Sequence, residues 1–150
     1  MATNPAYPHT GDASTATIRR RAYAAAHQEL LAAIKAMEEL TSGDPPDPLR
    51  FSHARLRVTR ASMERRELFR RTVAQLSRNA TSAVAHAISV LQEHDIQLLE
   101  LTSDHIATWT ADKIKSDWSG YCAATKIVRA RSRENIERET RLLYPLLDDD

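Results

Sequence analysis

Apolar residues recur at three- and four-residue steps in four long stretches, separated by short polar breaks. In the first stretch Tyr23, Ala26, Leu30, Ile34, Met37 and Leu40 form one face of a helix predicted over residues 15–42, with Gly43 placed for a left-handed C-cap. The break "GDPPDP" forbids helix, and Asp47 before Pro48 marks the next start, because the carboxylate can accept from free N–H groups while proline at the first helical position sacrifices none. A second helix is therefore expected over 48–77. Asn79 is the expected cap of a third, over 80–115, whose stripe is Val84, Ile88, Leu91, Leu98, Thr102 and Trp109, with a kink near Thr110. The polar "SDWSG" opens a fourth over 117–147, where Pro145 is tolerable because the helix is ending. Four long helices with short connections predict an all-α, antiparallel up-down-up-down four-helix bundle. Residues 1–14 read as a disordered N-terminal tail and 148–150 as an acidic tail.

Composition narrows the function classes. A chain of 150 residues builds one domain with a real core, and the scarcity of glycine favours helices over sheets. The chain has no apolar run of about 18 residues to span a bilayer and no signal-peptide order of charged then apolar residues, so a cytoplasmic location without membrane partners is expected. The single cysteine, Cys122, excludes an internal disulfide framework and sits in no nucleophile motif. With no Gly-x-Ser-x-Gly and no phosphate loop either, the expectation is a non-enzymatic protein.

Net charge is +1, yet nine arginines between Arg50 and Arg78 stand against only Glu64 and Glu67. They occupy every face of the second helix without interleaved glycine or aromatic residues, which argues for a solvated helix over a nucleic-acid site. Trp109, Trp118 and Tyr121 form a candidate aromatic contact patch, and apolar residues on several faces are compatible with a homodimer. A protein partner of unspecified identity is the expectation.

In an antiparallel bundle, residues equally distant from a connection lie at equal heights. Reflecting His27 through each connection in turn reaches Ser62, then Ile96, then Ile136. Within one turn of these positions lie His27, Arg60, Glu64, His94, Asp95, Asn135 and Glu139, a polar layer contributed by all four helices. Such layers are where bundles assemble metal sites from facing carboxylates and imidazoles.

The segment "NIERETRLLYP", Asn135 to Pro145, resembles the hemerythrin-like, or HHE cation-binding, family, whose helices carry His-Ile-x-x-Glu-Glu-x-x-Leu-Phe/Tyr-Pro. Asn135 stands at the histidine and Glu139 at the first glutamate, while Thr140 replaces the second. "RASMERRELF" is a looser match, with Arg60 at the histidine and Glu64 at the glutamate. The resemblance implies a metal layer with most of its histidines lost, His27 and His94 remaining. Arg60, which stays protonated and cannot coordinate, is then expected to replace the ion and bridge Glu64 and Glu139, with Asn135 serving the remaining lone pairs. The leading expectation is a regulatory or partner-binding bundle without a cofactor. The alternative is a single iron, zinc or manganese ion held by His27, Glu64, His94 and Glu139 for oxygen or redox sensing.

Overall fold

A computed structural model of the chain describes residues 18–148. The expected N-terminal tail, the first residues of the first predicted helix and the last two of the acidic tail lie outside that range. The described residues are all-helical: α1 Arg20–Leu40, α2 Pro48–Ser77, α3 Ser82–Thr108, the short α4 Ala111–Ser116 and α5 Trp118–Leu142, followed by a 3-10 turn, Tyr144–Leu146. No described helix is long and apolar enough to cross a membrane.

Helix ends follow local chemistry. Asp47 accepts from the Arg50 amide at 3.1 Å with Pro48 in the first turn. The α3 cap is Thr81, not Asn79: its hydroxyl accepts from Val84 N. The third predicted helix is broken rather than kinked. Trp109 leaves helical geometry, and Thr110 caps α4 by accepting from Lys113 N. Asp117 caps α5 through Gly120 N at 3.0 Å, and a Cβ at Gly120 would come within 2.2 Å of that carboxylate, so a larger residue would displace the capping side chain. Gly43 has no positive φ; α1 instead ends at Thr41, whose amide and hydroxyl both donate to Met37 O. Pro145 does not end α5 but sits within the 3-10 turn after it, since proline has no amide to continue the helical ladder.

α1 packs most closely on α2, and α3 on α5. The chain's two described ends meet: Arg20 N donates to Asp148 O at 3.1 Å, and the Arg20 guanidinium donates to Tyr144 O and Leu147 O. Asp148 is thus tied to α1 rather than part of a free tail. At the opposite end Arg129 donates to Thr41 Oγ1 at 2.9 Å and Arg133 to Glu38 at 2.6 Å, fastening α5 to the end of α1. Trp118 Nε1 donates to Gly43 O at 2.8 Å, and Phe51, His105, Trp109, Trp118 and Tyr121 pack ring on ring. The aromatic residues expected as a contact patch pack on one another at this end of the fold, Tyr121 buried and Trp109 and Trp118 half-buried.

Buried apolar residues divide into two clusters. One gathers Ile18, Tyr23, Phe69, Val73, Ile88, Leu91, Leu143 and Leu147; the other Leu30, Ala33, Ile34, Ala61 and Ile136. Along α1, α2 and α5 the chain passes from one cluster to the other through His27, Arg65 and Glu139, respectively, and all three are buried.

Candidate functional site

These three residues and Asp95 form one connected charge layer. Arg65 is only 2% exposed. One of its terminal nitrogens donates to Glu139 Oε1, and the other donates to Asp95 Oδ1 at 2.6 Å. Glu139 Oε2 lies 2.6 Å from His27 Nε2, and His27 Nδ1 lies 2.6 Å from the Tyr144 hydroxyl. Each donor meets one acceptor if His27 carries its proton on Nε2 and the Tyr144 hydroxyl donates to Nδ1. The His27 ring is stacked on Tyr144 at 5.6 Å and meets Tyr23 edge-on at 4.8 Å.

The electrostatics favour a fixed cation. Burial alone would pull the Arg65 guanidinium down, but the charges of Glu139 and Asp95 outweigh it and hold its pKa above the ordinary value. The Tyr23 hydroxyl is buried without a hydrogen bond; burial first, then the negative charge of Glu139, raises its pKa. A phenol kept neutral at this point adds no charge to the layer.

Asp95 also faces the Arg66 Nε at 3.8 Å, beyond hydrogen-bond distance. The buried Asn135 carboxamide donates to the His94 carbonyl at 3.3 Å and accepts from Arg138 at 3.0 Å, so it ties α5 to α3 rather than serving Glu139.

The chain matches no known family profile, no curated protein and no solved structure.

Two sequence expectations are corrected here. Arg60 and Glu64 are exposed on α2, and Arg65 is the arginine that meets Glu139. The buried stripe of α2 runs Ala61, Arg65, Phe69, Thr72 and Val73, and Arg60 and Glu64, each one residue before a member of it, lie about 100° around the helix, towards water. Neither Arg65 nor Tyr144 was expected in the layer. Stepping back by four from Phe69 would have found Arg65, and Tyr144 belongs to the same "LLYP" that carries the family resemblance.

The reduced ligand set of His27, Glu64, His94 and Glu139 is not brought together. Only His27 and Glu139 meet, and among the described residues no group of three or more His, Cys, Asp or Glu side chains is arranged to hold a metal ion. Both Glu139 oxygens are already engaged, one by a guanidinium that carries the charge an ion would bring. The described residues of this layer do not fit a bound metal. Cys122 is half-buried, and burial pushes its thiol up, away from the thiolate needed of a nucleophile.

Tyr144→Phe isolates the end of the network. It keeps the stacked ring but leaves His27 Nδ1 without its donor, at an expected cost of about 1 kcal/mol in denaturant unfolding. An unchanged midpoint would mean that Nδ1 does not depend on this hydroxyl.

Proposed function

We propose that this chain is a non-enzymatic, cytoplasmic binding or regulatory protein, folded as an antiparallel four-helix bundle distantly related to the hemerythrin-like proteins. In this reading its interior has exchanged an ion for an arginine. The observation that carries it is Arg65, buried at mid-height and hydrogen-bonded to carboxylates from two other helices. A guanidinium held there compensates Glu139 and Asp95 permanently, whereas carboxylates left unpaired at such depth would destabilise the fold.

Supporting the antiparallel arrangement, the end of α1 lies by the start of α5 through Gly43 and Trp118, and the start of α1 lies by the end of α5 through Arg20 and Tyr144. Supporting a binding role, Met63, Leu99 and Ile106 leave apolar surface exposed on α2 and α3. A single cysteine in 150 residues is in keeping with a reducing compartment.

Metal analysis of protein purified without chelator tests the central point. The expected result is far less than one metal ion per chain and a melting temperature unmoved by EDTA. Stoichiometric iron with a visible absorption band would overturn the reading.

A further inference from the structure

α2 and α3 touch sparingly, and between them a groove descends to α1 and α5. Its floor is apolar: Leu30, Ile34 and Met37 from α1, Leu98 from α3, Val58 from α2 and Val128 from α5. Met63, 64% exposed, and Ile106, 54% exposed, stand at its mouth. Its charged residues are all of one sign. Four arginines line it, Arg55, Arg65, Arg66 and Arg129, and among the described residues no aspartate or glutamate does.

Arg66 differs from the other three. Arg65 has two carboxylates, Arg129 has Thr41 and Arg55 lies over the Phe51 ring. The Arg66 Nε is buried with no hydrogen-bond partner, its nearest carboxylate oxygen being 3.8 Å away on the Asp95 that already serves Arg65. A buried donor of this kind lacks the compensation that water or an acceptor would give it. Burial lowers the Arg66 pKa and Arg65 adds to that, while Asp95 opposes it; a further anion beside the guanidinium would favour its charged form.

The dimensions select the occupant. The groove holds about 310 Å³, at the lower end of small-ligand sites. Its α2 wall extends from Arg55 to Arg66, roughly 16 Å at helical rise. A slot of that length and volume has room for one extended alkyl chain, not for a helix about 10 to 12 Å across.

Resting on the reading of the chain as a binding protein, we propose that this groove binds a fatty acid of about twelve carbons. Its carboxylate pairs with Arg66 beside the charge layer, and its alkyl chain lies over Leu98, Val58 and Ile34 towards Ile106. The carboxylate accepts from the terminal nitrogens of Arg66, which make no hydrogen bond among the described residues, and the chain covers apolar surface that the splayed helices leave open.

Titration of the full chain with dodecanoate, kept below its micelle concentration and followed by calorimetry, tests this. One dodecanoate per chain is expected, with a raised melting temperature. Dodecanol should bind at least tenfold more weakly, and dodecyltrimethylammonium should not bind. Arg66→Met should weaken dodecanoate binding at least tenfold; Met63→Glu, at an exposed position, should weaken it by a similar factor through repulsion at the mouth. Arg57→Met, on the far side of α2 and paired with Glu29, should leave it unchanged. Equal binding of the cationic and anionic amphiphiles, or undiminished affinity in both Arg66→Met and Met63→Glu, would overturn the proposal. So would a groove closed by a second copy of the chain in sedimentation, or an acidic amphipathic peptide that binds there and is not displaced by dodecanoate. Folded, metal-free protein that ignores dodecanoate would overturn it too while leaving the arginine-for-metal reading standing; stoichiometric metal would do the reverse.

Discussion

Arg65→Met is expected to lose about 3 to 5 kcal/mol of folding stability, read as a lower denaturant midpoint, because it removes the shared cation from two carboxylates at once. Glu139 would keep only His27, and Asp95 only the distant Arg66. Arg60→Met is the matched control. It deletes the same side chain one and a half turns earlier, on the exposed face, and should change stability by no more than about 0.5 kcal/mol. Pairing Arg65→Met with Glu139→Leu should recover part of the loss, since the most deeply buried orphaned carboxylate disappears with its partner. A double-mutant cycle then gives the coupling of the two residues. Equal effects of Arg65→Met and Arg60→Met would dispose of the layer as a stabilising element.

Phe69→Ala is expected to cost about 3 to 5 kcal/mol in the same measurement. Phe69 is 3% exposed and belongs to the cluster with Tyr23, Val73, Ile88, Leu91 and Leu143, so alanine leaves a cavity walled by four helices and the turn after α5. Its position one turn from Arg65 on the same buried stripe means the two substitutions will not add independently. A loss below about 1 kcal/mol would show that this end of the molecule closes over the missing ring.

Much of this was legible in the chain. The periodicity of Tyr23, Leu30, Ile34 and Met37 is the buried face of α1, and Asp47 with Pro48 marks the start of α2 as expected. Reflection through the connections brought His27, Asp95 and Glu139 to one level, where Arg65 bridges Asp95 and Glu139, and Glu139 in turn meets His27. Rotation about the α2 axis was harder to read. An arginine in a buried stripe looks like surface to any pattern of apolar and polar residues, and eight arginines on one helix hide the one that points inward. Arg60 and Glu64 have the i to i+4 spacing of a helix pair but lie on the wet side of α2, and the structure gives no ion pair between them. The break at Trp109 and Thr110 was equally hard to see, because Thr110 caps α4 through a single hydroxyl that the apolar stripe does not record.

The layer also constrains the order of assembly. His27 and Glu139 are 112 residues apart, Arg65 and Glu139 are 74, and Arg65 and Asp95 are 30. The entropy of closing such spans must be met before the contacts reward it, whereas the pairing of α1 with α2 spans only a short connection. Helical hairpins are then expected first and the ionic centre late, so that Arg65→Met would raise the unfolding rate while leaving the refolding rate nearly unchanged. Interactions made on the native side of that barrier govern how slowly a molecule comes apart rather than how quickly it forms. With that order of events the buried guanidinium would act as a latch on the folded lifetime.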